Sequence, residues 1–185
     1  MRPAIVEGYV PIPDSIAFWG IDSGIRHEVR GSDYMSVRIG AFMGYRIIAE
    51  AAGLVAKPLA GVEGAVEVED PVWQGYLANL TPAEYHERFA SVVPEEMPCR
   101  EFLARHGGIS ARVTRVDPAR HYAVANPALH PIGENYRTHR FRGILEAEIG
   151  EHALRQLGDL MYEAHHSYSA CGLGSEGTDL LVQLV

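Results

Sequence analysis

The residues best suited to chemistry stand in one run, IDSGIRHEVRGSDY, which extends from Ile21 to Tyr34. The apolar stretch IAFWGI before it predicts a strand buried on both faces that ends just before Asp22. Polar groups at strand ends and helix starts often converge on ligands. A tyrosine there can hydrogen-bond a sugar hydroxyl while its ring packs on the apolar face of the sugar. The residue types alone favour the alternative, in which Tyr34 packs on the core and Asp33 complements a helix dipole.

A long helix over Asp33–Ala52 must position this run. Ser32 is the predicted N-cap, and Gly53 is the predicted C-terminal stop. Apolar residues at helical spacing form a broad face, and Arg46 and Glu50 form an i, i+4 pair outside it. A helix of about 20 residues is about 30 Å long, so it can cross a whole small domain.

The remaining elements are shorter and mixed in type. The strongest local signal is Thr81-Pro82-Ala83-Glu84, a capping box with proline at the first helical position and a staple between Leu80 and Tyr85. Further predicted strands are Ala4–Val10 and a pair formed by Ala111–Val116 and His121–Ala125. The pattern from Gly53 to Asp70 is loose, with one short alternating piece, AVEVED. Further predicted helices are Cys99–His106, Gly133–Glu148, Glu151–Tyr168 and a last one from Thr178. This mixture of strands and helices, without regular βαβ alternation, predicts an α+β fold, and the length of 185 residues predicts one domain or a domain and a fraction.

The glycine-rich run GLGSEG, Gly172–Gly177, matches a dinucleotide-binding fingerprint in its letters. That fingerprint requires a strand before it and a helix opening on the glycines, whereas a predicted helix precedes this run. The pattern therefore favours a flexible helix–helix connection, with a dinucleotide enzyme as the weaker hypothesis. A milder alternative is an anion site at the helix start formed by Gly177 and Thr178.

No residue pattern indicates a metal site or a nucleophilic catalyst. The adjacent His165 and His166 point about 100° apart on a helix, so they are poorly placed to share a metal. Either histidine, beside Ser167, could still line a polar pocket. The carboxylates Glu67, Glu69 and Asp70 are interpreted as a mobile, solvated loop. Reduced core thiols are the favoured interpretation of Cys99 and Cys171, with one disulfide between them as the alternative.

Composition excludes several classes of function. The net charge of −8 argues against binding to nucleic acid or acidic membranes, which requires clustered Lys and Arg. No apolar run approaches the ~20 residues of a membrane span. The N-terminal MRPAIVEGYVPIPD lacks the uninterrupted apolar stretch of a signal peptide. A cytoplasmic protein with small-molecule or protein partners is expected.

Several ordered motifs resemble those of the galactokinase-like sugar kinases of the GHMP superfamily. The first reads D-x-x-V-R-H, then S-[ED]-Y, then helical arginines, and it covers the run described above. A second, H-x-x-x-E-N-x-R, lies at His130, Glu134, Asn135 and Arg137. A third, similar to LM-x-x-SH-x-SL, runs through LMYEAHHS from Leu160 to Ser167. The fuller wording, FWGIDSGIRH and HHSYSACGLGSEGTDLLVQLV, is closest to the L-arabinokinase-like branch.

The resemblance implies two α+β lobes with sugar and ATP between them, and transfer of the ATP γ-phosphate to the anomeric hydroxyl of a sugar. By this resemblance, residues 1–185 would form a single domain, an antiparallel sheet packed with helices, that supplies the substrate-side, C-terminal-lobe-like part of that fold. The family's sugar-binding tyrosine falls on Tyr34. Asp33 and Asp22 are the other implied substrate contacts. Further pocket or phosphate-side candidates are Arg26, His27, Ser32, Arg38, His165 and Ser167.

Departures from the family pattern limit what the chain is expected to do. The N-terminal sugar motif, the ATP loop P-x-G-x-G-L-S-S-S-A and the presumed catalytic Asp are absent from the sequence. The chain is therefore expected to be truncated at both ends, to have no catalytic residue of its own, and to lack the loops for ATP and Mg. A kinase lobe from elsewhere or a homo-oligomer would complete it, or it is a non-catalytic sugar-sensing or partner-binding protein.

Overall fold

The computed structural model describes Val6, residues 8–24 and residues 32–185, with side chains from Tyr34 onward in the last range. Within this part the chain forms six α-helices, one turn of 3₁₀ helix and two two-stranded antiparallel sheets. The predicted α+β class is confirmed. The helices are α1 (Ser32–Ala51), α2 (Pro82–Arg88), α3 (Cys99–His106), α4 (Ala125–Leu145), α5 (Glu151–Ala170) and α6 (Glu176–Leu184), and the 3₁₀ turn is Leu77–Asn79. The strands are β1 (Ala56–Pro58), β2 (Val66–Val68), β3 (Glu96–Pro98) and β4 (His121–Ala123).

Helix α1 is the central element of the core and packs closely on α4. Met43 and Ile48 are fully buried on it, and Gly40 and Gly44 face the start of α4. A Cβ atom on Gly44 would stand only 2.5 Å from the Cβ of Ala128, so the glycine is what permits this approach. The predicted long helix is confirmed, and its packing on α4 fixes the middle of α1 in the core.

The pair Arg46 and Glu50 is confirmed, but its predicted place outside the apolar face is wrong. The Arg46 side chain is only 10% exposed and lies 3.1 Å from the Glu50 carboxylate. Its Nε also donates to the carbonyl oxygen of His106 (3.1 Å), and the His106 ring lies 2.9 Å from the same carboxylate. These contacts among Arg46, Glu50 and His106 therefore join the C-terminal ends of α1 and α3.

Helix α4 begins at Ala125, well before the predicted start at Gly133. Two prolines made that segment look like a helix boundary. Pro127 lies in the first turn, where its missing N–H costs nothing, and Pro131 lies inside the helix. Burial of Ala128 and Ile132 against the core stabilises the helix through Pro131.

The two sheets are small, and one predicted pairing is wrong. Strand β1 pairs with β2, with Lys57 opposite Glu67, as expected for the alternating AVEVED segment. Strand β4 pairs with β3, with Met97 opposite Tyr122, and not with Ala111–Val116. Strand signals specify a partner poorly, and β3 meets β4 because residues 95–99 also bond to both ends of the latter.

The segment 8–24 contains no strand, so the predicted strand Ile16–Ile21 is wrong. Trp19 is 88% exposed, and Phe18 lies on the surface with its ring 6.0 Å from that of Phe141. An apolar run becomes a strand only when a neighbouring strand pairs with its backbone hydrogen-bonding groups, and this run has no such neighbour among the described residues. The predicted strand Ala4–Val10 lies partly outside the described residues, and Val6 and residues 8–10 are not in a strand.

The predicted helix ends agree with the structure better than the predicted strands do. The Thr81 hydroxyl accepts from the backbone N–H of Glu84 (3.1 Å), while the Glu84 carboxylate pairs with Arg88 and does not return to complete the box. Helix α3 ends at His106, as predicted, and Gly107 follows it as a C-cap in the left-handed conformation. Among the described residues, no helix is both long and apolar enough to cross a bilayer.

Candidate functional site

The first two turns of α1 carry the described part of the predicted sugar site. Tyr34 lies in the first turn, is half-buried, and forms no hydrogen bond with another described residue. Arg38 follows one turn later on the same side of the helix. Its Nε donates to the hydroxyl of Thr114 (3.1 Å), and its guanidinium lies 5.4 Å from the centre of the Phe42 ring. Thr114 is buried, so it holds Arg38 from within the fold.

The other residues of the predicted site are only partly described. Asp22 is exposed, and its Oδ1 accepts from the backbone N–H of Gly24 (2.8 Å), which closes a turn. Arg26 and His27 lie outside the described residues. Ser32 and Asp33 form the start of α1 in the backbone, so the helix begins at Ser32 itself, and their side chains are not among those described.

The α5 candidates His165 and Ser167 make two separate polar contacts, one with α6 and one with α4. The Ser167 hydroxyl lies 2.9 Å from Nδ1 of His130 on α4. His165 Nε2 lies 2.9 Å from the Asp179 carboxylate on α6, which also accepts from the Ser169 hydroxyl (3.3 Å). Polar contacts therefore join α5 to α4 on one side and to α6 on another.

Burial favours the neutral form of His130, the α4 partner of Ser167. It lowers the pKa of His130, while the charge of Glu134 opposes this effect and that of Arg137 adds to it. A neutral imidazole shares one hydrogen bond with Ser167 through Nδ1. The second and third motifs of the sequence therefore meet in space, although no contact among the described residues joins them to Tyr34 or Arg38.

The glycine-rich connection between α5 and α6 is confirmed as a helix–helix connection. Helix α5 precedes it, and Gly172 adopts a left-handed conformation with φ of 78°. The Ser175 hydroxyl accepts from the backbone N–H of Thr178, and the Thr178 hydroxyl accepts from that of Ser175. This capping box engages N–H groups that an anion at the helix start would need, which argues against the milder alternative of an anion site.

The carboxylate cluster near residue 70 is partly structural, which corrects its interpretation as a mobile, solvated loop. Asp70 accepts from the backbone N–H groups of Val72, Trp73 and Gly75 (2.7–3.0 Å) and from the Tyr45 hydroxyl (2.7 Å). Burial disfavours the Asp70 charge, but these hydrogen bonds outweigh it and lower the pKa of Asp70. Glu67 and Glu69, in contrast, are exposed and pair with Arg112 and Lys57 on the surface.

The part of the chain that the structure describes offers neither a metal-binding group nor a reactive thiol. The described residues contain no group of three or more His, Cys, Asp or Glu side chains that could hold a metal ion. Cys99 and Cys171 are buried and unpaired, as predicted, and burial raises the pKa of the Cys171 thiol to about 11. Such a thiol is mostly protonated and a poor nucleophile.

A groove of about 360 Å³ lies between α4 and α5 on the outer side of the fold. Its floor is mainly apolar, and Glu134 and Arg137 of the second motif lie at its edge, paired to each other at 2.5 Å. The apolar lining residues are Val10, Phe141, Leu145, Leu160, Met161 and Ala164.

Sequence reasoning missed two partners of the candidate residues, namely Thr114, which binds Arg38, and Asp179, which binds His165. Both are brought to their partners only by the fold, since Thr114 meets Arg38 across 76 positions of the chain. No spacing rule links such residues. For Asp179 the available signal was its place in the first turn of α6, where an acidic residue also complements the helix dipole.

Comparison with known proteins finds a relative that matches the whole chain. L-arabinokinase from Arabidopsis thaliana is 43% identical over 195 aligned positions, which cover 100% of this chain and 19% of that protein. The chain thus spans about a fifth of the length of this curated relative. No protein-family model matches the chain, and no solved structure matches it significantly. The resemblance to the arabinokinase-like branch is confirmed.

Proposed function

The chain is a segment of an arabinokinase-like sugar kinase, and from that premise we propose that it forms the sugar-side part of such an enzyme. The complete kinase would transfer the γ-phosphate of ATP to the anomeric hydroxyl of a monosaccharide of the L-arabinose or galactose type. The observation that carries the proposal is the 43% identity, which extends over the whole chain.

Within this proposal, Tyr34 contacts the sugar. Its hydroxyl is not engaged by any described residue, and its ring is half-buried at the start of a helix that α4 holds in place. A phenol fixed in this way can hydrogen-bond one sugar hydroxyl and pack on the apolar face of the ring. Asp22 and Asp33 would accept hydrogen bonds from further hydroxyls of the same sugar.

ATP and Mg belong to the complete kinase, and the residues described here do not fit either group. They present no metal-ligand cluster, and the sequence contains no ATP loop of the family type. Phosphoryl transfer depends on holding phosphates, metal and acceptor in line. We therefore propose that residues 1–185 form one substrate-side domain without turnover of its own, which needs another kinase lobe or a second copy to become active.

A non-catalytic role in sugar sensing or partner binding is the second candidate. It is favoured by the same absence of an ATP loop from the sequence. The kinase segment and the sugar sensor would both place the sugar at Tyr34, whereas a partner-binding role needs no sugar there. Only the kinase segment predicts that a complementary lobe restores phosphorylation.

Sugar binding and turnover test the proposal separately. L-arabinose or galactose, titrated into the purified chain and followed by NMR, should shift the amide signals of the first turns of α1. Tyr34→Phe should weaken that binding by about 1 kcal/mol, the value of one hydrogen bond. Tyr9→Phe is the matched control, because Tyr9 is 92% exposed.

Release of ADP from Mg-ATP in the presence of sugar measures turnover. We expect none from the chain alone. Clear turnover would refute the claim of inactivity but leave the sugar contact standing, whereas equal sugar affinity of Tyr34→Phe and the wild type would refute the contact.

A further inference from the structure

A small cavity of about 180 Å³ lies beside the hairpin β1–β2. Its lining joins parts of the chain that only the fold brings together, since Tyr45 of α1, Gly75, Ser110 and Arg112 line it together with β2. Tyr45 follows Tyr34 by eleven positions, which is about 16 Å along α1. The cavity is therefore a second place on the molecule, apart from the predicted sugar site.

Hydrogen bonds fix the floor and one wall of this cavity. The Tyr45 side chain is buried, and its hydroxyl donates to the Asp70 carboxylate (2.7 Å). The same carboxylate accepts from the backbone N–H groups of Trp73 (2.7 Å) and Gly75 (2.8 Å), which holds the loop at the wall. Within that loop Gln74 has a φ of 56°, a left-handed conformation that no other described non-glycine residue adopts. Such strain persists only where surrounding contacts enforce it, and it is concentrated at functional sites.

The polar groups that line the cavity are only partly used by the protein. The Ser110 hydroxyl is half-buried and forms no hydrogen bond with any described residue. At the rim, Nη2 of Arg112 lies 3.4 Å from Oε1 of Glu67, which is longer than the 2.7–2.9 Å or so of a strong charge-assisted hydrogen bond. The second Glu67 oxygen and the remaining guanidinium N–H groups stay available. The rim therefore offers an acceptor for a cation and donors for an anion side by side.

We propose that this cavity binds a small zwitterionic α-amino acid, with the carboxylate on Arg112, the ammonium on Glu67 and a polar atom on the Ser110 hydroxyl. The two charged groups of such a ligand are attached to one carbon, which suits opposite charges 3.4 Å apart. The volume of about 180 Å³ is below the range of about 300–1,000 Å³ for drug-sized ligands, so the ligand must be small. This site does not depend on the proposed sugar kinase function.

The first experiment compares L-serine, L-lactate and ethanolamine as probes. The backbone amide signals of Gly75, Ser110 and Arg112 are followed by NMR at constant ionic strength. L-serine should shift them to saturation with a Kd of about 1 mM, as expected for a few charge-assisted contacts at an exposed rim. L-lactate lacks the ammonium and ethanolamine lacks the carboxylate, so each should bind about fivefold more weakly or worse. No saturation by L-serine, or equal affinity for the three probes, would overturn the proposal.

The second experiment removes the rim charges one at a time. Arg112→Gln and Glu67→Gln should each weaken L-serine binding about fivefold, because one charged contact is lost. Arg105→Gln is the matched control, since Arg105 also forms an exposed ion pair, with Glu101 on α3 (2.8 Å), but lies outside the cavity. It should bind L-serine as the wild type does. Wild-type affinity in either rim variant, or an equal loss in the control, would also overturn the proposal.

Ser110→Ala tests the wall. Its hydroxyl has no described partner to lose, so the variant should fold like the wild type and bind L-serine several-fold more weakly. Unchanged affinity would refute the contact with Ser110. Tyr34→Phe should leave L-serine binding unchanged, so a failure of the sugar contact and a failure of this site are distinguishable. The three probes on the wild type decide the proposal even if a rim variant does not fold.

Discussion

Replacement of Gly44 by alanine should destabilise the protein, although alanine is the better helix former. The new Cβ would lie 2.5 Å from the Cβ of Ala128, whereas carbon atoms pack at about 3.5–4.0 Å. Helices α1 and α4 would have to separate by about 1 Å, and overpacking of this kind costs about 1–3 kcal/mol. The gain in helix propensity is about 1 kcal/mol. We expect a net loss of up to about 2 kcal/mol in the free energy of unfolding.

Gly158 is the matched control, since it lies inside α5 and a Cβ there would meet no atom within 4 Å. Gly158→Ala should stabilise by up to about 1 kcal/mol, so the two variants should move in opposite directions. Urea unfolding followed by circular dichroism measures both, and thermal midpoints should shift by about 2–4 °C per kcal/mol in a domain of this size.

A double-mutant cycle makes the test specific to the contact. Adding Ala128→Gly to Gly44→Ala removes the clashing methyl group, so the pair should be less destabilised than the sum of the single variants. Stabilisation by Gly44→Ala equal to that of Gly158→Ala would refute the close packing of α1 on α4. Gly40 should behave like Gly44, because a Cβ there would meet the carbonyl oxygen of Ala123.

Two carboxylates should make stability depend on pH in the acid range. Asp70→Asn should cost about 2–3 kcal/mol, because the amide nitrogen cannot accept the hydrogen bonds now made to one carboxylate oxygen, while Tyr45→Phe should cost about 1 kcal/mol. The pKa of Asp70 is lowered from 3.8, so its contribution to stability is complete above 3.8 and is lost as pH falls through the lower folded value. The hydrogen bond from His106 is the main cause that lowers the pKa of Glu50 from 4.5; its contribution should therefore be lost on acidification below 4.5, and Glu50→Gln should flatten that part of the profile in urea unfolding. A wild-type profile that does not change between neutral and acid pH would contradict both assignments.

Elements that depend on neighbouring residues were predictable from the sequence. The cap at Thr81, the stop at Gly107 and the long helix carrying Tyr34 all follow from contacts within a few positions of the chain. The apolar run Ile16–Ile21 misled because burial and strand formation need a partner that the run itself does not specify. The start of α4 was misplaced because its prolines weaken a local helix signal that core packing overrides.

The candidate site also combines features that the sequence predicts with features that only packing sets. The sequence alone determined which residues form the motif around Tyr34, and it pointed to the family to which the whole-chain identity also points. Only the tertiary structure decided that Arg38 is held by Thr114, that His130 meets Ser167, and that Asp70 anchors a loop. The physical reason is distance along the chain, because the hydrogen bond between Arg38 and Thr114, 76 positions apart, exists only after α1 has packed against the segment that carries Thr114.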